Sequence, residues 1–176
     1  KSDYIEDFKV FRNEIIKKEI IPYQVEFQAP PRGKKICWLE CPYCYGLSAD
    51  NNGERLSKER GLEILKQIIG GGVKKIIFAG YATDPLNCDY IGELLDLTIS
   101  NKAIFGFNTK ALKISDTFFN ALKNNKISDS SYISLSVDAG SNETYNLIHD
   151  VKAKKVKIYD QVLKNAKKLG EIKKEN

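Results

Sequence analysis

The stretch "GGVKKIIFAGYATDPLN", residues 71–87, sets the architecture. Two glycines close whatever precedes them. "KKIIFAG" is then short, apolar and rich in β-branched and aromatic residues, as a strand buried on both faces requires. "YATDPLN" follows as a loop of turn formers. Upstream, Ser57 is placed to cap a helix that runs to the glycines at 70–72. Downstream, the pattern repeats: Asp89–Asn101 reads as a helix, "AIFGFNT" as a strand, Ser115 caps a helix to about Lys123, and "YISLSVD" is a strand again. Before it, "YQVEFQ" alternates like a short strand. Helical stretches near Asn142–His149 and Val156–Leu169 complete the chain.

Strand, loop and helix thus recur four times, about 30 residues apart, the rhythm of βαβ units and a parallel sheet. Right-handed crossovers place every strand-to-helix loop on one rim. Four units are too few to close an eight-fold barrel. The expectation is an α/β fold: an open, partial TIM-like barrel over 22–176, preceded by an N-terminal helical extension over 1–21. Apolar residues at Ile5, Phe8, Phe11, Ile15 and Ile16 give that extension its helical spacing, and Pro22 closes it. In "YISLSVD", Ile133, Leu135 and Val137 take one face, and Ser134, Ser136 and Asp138 the other. A polar face predicts either a lumen lined for a polar ligand or an edge strand with one wet side.

The totals exclude several classes. Hydrophobic residues at 42% and charged residues at 29% describe an ordinary globular chain. No apolar run approaches the ~18 residues of a membrane span, and the charged start does not read as a signal peptide. A cytoplasmic setting is expected. The net charge of +5 is concentrated. Residues 151–176 hold nine lysines against Asp160, Glu171 and Glu175, so the other 150 residues are nearly balanced. Without interleaved aromatics, that basic end reads as a solvated helix face rather than a nucleic-acid site. No Met occurs, which predicts that Lys1 is not the native start and that the chain is a piece of something longer.

The chemistry concentrates in "CWLECPYCYG", residues 37–46, with Cys37, Cys41 and Cys44 at offsets 0, 4 and 7. Such crowding does not suit a disulfide framework; it suits a soft metal or a cluster. Structural zinc needs four protein ligands. Cys88 is the one other cysteine, so a zinc-stabilised binding module using Cys37, Cys41, Cys44 and Cys88 is the alternative reading. The lone histidine, His149, reads as a surface or packing residue of its helix. Three thiolates on a [4Fe–4S] cube leave one iron open for a small molecule.

"CWLECPYC" resembles the CxxxCxΦC signature of the radical S-adenosylmethionine superfamily, with Tyr43 in the aromatic position. "IIFAGYATDPL" stands where that family carries its GGEP-type turn, and "SLSVDAGSNETY" resembles its fourth strand and following turn. The resemblance covers residues ~22–150. It implies that Cys37, Cys41 and Cys44 ligate a [4Fe–4S] cluster and that S-adenosylmethionine chelates the open iron. One electron then cleaves the sulfonium to methionine and a 5′-deoxyadenosyl radical, which abstracts hydrogen from a substrate.

Carried over by position, the resemblance sets the backbone at Tyr43 against the adenine and Gly80 against the methionyl ammonium. Asn108 would meet the methionyl carboxylate, and Ser134, Ser136 and Asp138 the ribose side. In "AGYATDP" only Gly80 and Pro85 echo the family turn. Asp84 either takes its acidic place or serves as a turn former beside Pro85. The family's last strands have no counterpart after residue 150. The resemblance also implies an electron donor of flavodoxin or ferredoxin type, and "SVDAGSNETYNLIHD" looks most like members that modify peptides and proteins.

Overall fold

The computed structural model describes residues 12, 13, 17, 20–29, 37, 39, 41–44, 56–80, 83–151 and 156–175. The predicted N-terminal helix lies outside the described residues except for a helical pair at 12 and 13.

Four strands, β1 (Gln24–Gln28), β2 (Lys75–Ala79), β3 (Ile104–Thr109) and β4 (Tyr132–Leu135), form one sheet in the order 1-2-3-4. Every neighbouring pair is parallel, with Phe27 beside Phe78, Phe78 beside Phe107 and Phe107 beside Ile133. The sheet is open among the described residues, in an α/β arrangement of the partial TIM-like kind.

The helices begin where their caps demand. In α1 (Lys58–Gly70) Ser57 Oγ accepts from Arg60 N at 3.3 Å, and Gly71 N closes the far end on Gln67 O at 2.8 Å. Helix α2 (Ile91–Ser100) follows a single 3₁₀ turn at Pro85–Asn87. Helix α3 (Asp116–Asn124) starts on Ser115, which accepts from Phe118 N. Helix α4 (Asn142–Ile148) opens with a reciprocal Ser141–Thr144 capping box. Helix α5 (Ile158–Glu175) runs past the predicted end at Leu169. Val162, Asn165 and Ile172 keep one buried stripe continuous over that extra length.

Alternate strand residues enter the main core: Val25 and Phe27, Ile76 and Phe78, Phe105 and Phe107, Ile133. They meet Leu65, Ile91, Leu94, Leu95, Phe118 and Leu122 from the helices. Phe78 stacks on Phe107 at 4.7 Å between ring centres, and Phe118 stands edge-on to Phe107 at 5.0 Å. Each such ring contributes about 1.5–3 kcal/mol by leaving water. The other sheet face carries Gln24, Glu26, Gln28, Asn108, Tyr132 and Ser134, all exposed. Gly106 lies on that face, and a Cβ there would come within 2.7 Å of the Tyr132 ring. The missing side chain lets Tyr132 lie flat on the sheet, with Lys75 Nζ 5.1 Å from its centre.

β4 is shorter than "YISLSVD" predicted. Ser136 N still reaches Thr109 O at 2.9 Å, but Asp138 turns left-handed at φ 56°. Asp tolerates that region. The chain leaves the ladder there, and Asp138 belongs to a turn rather than to the strand's polar face.

Candidate functional site

A second apolar cluster sits apart from the main core. Leu39, Cys41, Tyr145 and Val162 are buried in it, and Cys37, Cys44, Leu112, Val137, Ile158 and Tyr159 pack against them. The cysteine loop, the loop after β3, the turn after β4 and helices α4 and α5 therefore converge, as the single-rim expectation required. Cys44 N bonds to Cys41 O at 2.9 Å in a tight turn. None of the four cysteines, all of them described, forms a disulfide.

Cys88 lies elsewhere. It is buried in the main core, where desolvation pushes its thiol up to about 11. The four-cysteine zinc set is therefore not assembled, because the fold sends Cys88 into the aromatic core and the other three to the rim. Among the described residues no three His, Cys, Asp or Glu side chains close on one metal ion. A four-iron cube is gripped at separate corners, so its ligands stand wider apart than those of a single ion.

Around the cysteines runs a polar network. Tyr43 Oη donates to Asp138 Oδ2 at 3.2 Å and accepts from Lys110 Nζ at 3.4 Å. Lys110 also pairs with Asp138, and this bond holds the Asp138 carboxyl below the usual carboxylate range. Burial raises the Tyr43 hydroxyl well above an ordinary tyrosine.

His149, read from sequence as a surface or packing residue, is fully buried in this site. Its Nδ1 lies 2.9 Å from Cys41 Sγ and 3.1 Å from Tyr43 Oη. Its ring sits 4.2 Å from that of Tyr145, one helical turn earlier. Nε2 has no hydrogen-bond partner among the described residues, and the Asp138 carboxylate is 3.9 Å away. Burial, then Lys110, lowers the imidazole's proton affinity. Burial raises the Cys41 thiol, against the opposing pull of Tyr43 and Lys110.

Lys110 and His149 are the residues sequence reading missed. The Tyr145–His149 spacing of four placed both on one helix face, which was the available signal.

The loop after β2 is fixed by Gly80 and Asp84. A Cβ on Gly80 would fall 1.9 Å from the Thr83 carbonyl oxygen and 2.5 Å from its carbon, so only glycine lets the chain fold back there. Asp84 accepts from Leu86 N at 2.9 Å, Thr109 Oγ1 at 2.7 Å and Lys110 N at 2.6 Å. Burial nevertheless holds its carboxyl above the usual range. Both oxygens are thus engaged inside the protein, tying the β2 loop to the β3 loop. Ala111, left-handed at φ 51°, is held from the other side by Asn165 Nδ2 on its carbonyl at 2.7 Å. Lys110 sits between these anchors. Asn108 and Ser134 are neighbours in register on the exposed sheet face, with Ser136 next along.

Residues 34–175 match the family model described as the Radical SAM superfamily. The chain belongs to that superfamily. Among solved structures, Streptococcus suis SuiB bound to S-adenosylmethionine aligns with TM-score 0.66 at 18% identity, over 97% of this chain and 37% of SuiB. SuiB itself aligns with TM-score 0.64 at 20% identity, over 97% of this chain and 36% of that one. SuiB bound to the precursor peptide SuiA gives the same figures. A comparison with curated proteins found no match. The chain therefore spans a little over a third of SuiB's length and shares its fold. No helix among the described residues is long and apolar enough to cross a membrane.

Radical SAM proteins use a [4Fe–4S] cluster and S-adenosylmethionine, and the residues present fit both. Three unbridged cysteines share one apolar cluster, and a buried imidazole nitrogen beside them has no hydrogen-bond partner among the described residues.

Proposed function

We propose that this chain carries the cofactor half of a radical enzyme, with Cys37, Cys41 and Cys44 holding a [4Fe–4S] cluster and the neighbouring rim binding S-adenosylmethionine. When bound, the pair supplies one electron to a sulfonium C–S bond and so generates a 5′-deoxyadenosyl radical for hydrogen abstraction. The protein binds, orients and excludes water. The observation that carries this reading is the gathering of the three cysteines in one apolar cluster, with the β2, β3 and β4 loops tied together beside it.

The chain's own residues divide that work. Gly80 offers main-chain groups to the methionyl ammonium, and Asn108 reaches the methionyl carboxylate. Ser134, Ser136 and Asp138 serve the ribose, and the backbone at Tyr43 meets the adenine. Asp84 acts through the loops it joins. A peptide or protein substrate is supported by the SuiB structure bound to its precursor peptide SuiA. The electron would come from a donor of flavodoxin or ferredoxin type, and residues 1–21 would be an extension to a barrel unit over 22–176.

The test is anaerobic reconstitution. The expected result is about four irons and four sulfides per chain, with a spectrum that shifts on adding S-adenosylmethionine. Cys41→Ser should abolish iron uptake, and Cys88→Ser should leave it intact. A colourless protein that takes up one zinc per chain overturns the reading.

A further inference from the structure

The proposed function leaves one buried group without work: His149. It rides on the C-cap of α4, entirely out of solvent. Tyr145 packs on it from the preceding turn. Its N–H to Tyr145 O at 3.1 Å fixes the backbone at the position that aims the ring at the cysteine loop.

The hydrogen-bond roles around it can be assigned. The Lys110 ammonium can only donate, so Tyr43 Oη accepts from it and gives its own proton to Asp138. Tyr43 then has no proton left for the imidazole. A cysteine sulfur bound to iron is a thiolate and can only accept. The nitrogen 2.9 Å from Cys41 Sγ must therefore be the protonated one for that contact to be a bond. The other ring nitrogen, Nε2, has no hydrogen-bond partner among the described residues and lies 3.9 Å from the Asp138 carboxylate.

We propose that His149 is a positioning residue for the iron–sulfur centre, donating an Nδ1–H hydrogen bond to the Cys41 sulfur and thereby raising the centre's reduction potential. This rests on the cluster reading above. A donor aimed at a ligand sulfur favours the more negatively charged, reduced form, as hydrogen bonds to cluster sulfurs do generally.

The experiment uses a peculiarity of composition: His149 is the single histidine of the chain. Protein labelled with ¹⁵N-histidine is reconstituted, its iron is counted, and the dithionite-reduced centre is read by pulsed electron paramagnetic resonance. A ¹⁵N coupling from the ring is expected, because the N–H···S bond transmits spin density. Redox titration then compares the wild type with His149→Phe and His149→Gln. His149→Phe should make reduction about tenfold harder, about 59 mV lower for one electron. His149→Gln, with an amide donor, should recover part of that shift. A four-iron wild type with no ¹⁵N coupling overturns the inference, even where the variants fail to fold. So does a His149→Phe potential equal to wild type. Failure of the wild type to take up iron at all removes the cluster reading itself, and the iron count tells the two failures apart.

Discussion

Replacing Asp84 by asparagine tests the claim that one buried carboxylate joins the β2 and β3 loops. Three donors converge on it: Leu86 N, Thr109 Oγ1 and Lys110 N, at 2.9, 2.7 and 2.6 Å. Asparagine keeps the size but turns one oxygen into an NH₂. Whichever way the amide is flipped, at least one backbone N–H then faces another donor. An unsatisfied buried N–H costs about 1–3 kcal/mol. Burial holds the Asp84 carboxyl above the usual carboxylate range, so removing the charge offsets part of that loss. The net expectation is about 1–2 kcal/mol, or roughly 2–8 °C in Tm for a chain of this size. Urea unfolding should show a lower midpoint at unchanged slope. Because Lys110 N is one of the three donors, binding of S-adenosylmethionine to the reconstituted protein should weaken as well. An Asp84→Asn protein as stable as wild type would refute the clamp. Lost stability with unchanged S-adenosylmethionine affinity would refute its link to the site.

Gly80→Ala pushes a methyl group to 1.9 Å from the Thr83 carbonyl oxygen, about 1.5 Å inside ordinary contact. A misplacement of that size costs on the order of 100-fold in turnover of S-adenosylmethionine; wild-type activity would show the turn to be irrelevant. Cys88, with its thiol pushed up to about 11, should react with a thiol reagent far more slowly at pH 8 than the cysteines in the denatured chain. Its folded pKa lies above the unfolded value of ~8.5, so the unfolded chain loses that proton first as pH rises. Stability should therefore fall between about pH 8.5 and 11, and Cys88→Ala should flatten that part of the profile. Tyr145 is fully buried, and its hydroxyl has no hydrogen-bond partner among the described residues. Tyr145→Phe should stabilise the protein by about 1 kcal/mol in urea unfolding, and a loss of stability would contradict the missing partner.

The sequence by itself determined the βα rhythm, the helix starts at Ser57 and Ser115, and the crowding of three cysteines within ten residues. These are local matters, carried by side-chain period, cap chemistry and short spacing, and they are legible within a window of a few residues. The open parallel sheet followed from the repeat alone. Tertiary structure decided the rest. Cys88 went to the aromatic core, away from the place the zinc alternative required, and His149 joined the cysteine loop from 108 residues away. Asp84 met Thr109 and Lys110 because adjacent parallel strands bring their loops together across 25 residues of chain. Asp138 left its strand for a left-handed turn that aims it at Lys110 and Tyr43. Such partnerships depend on distances across the fold, and a one-dimensional pattern carries no distances.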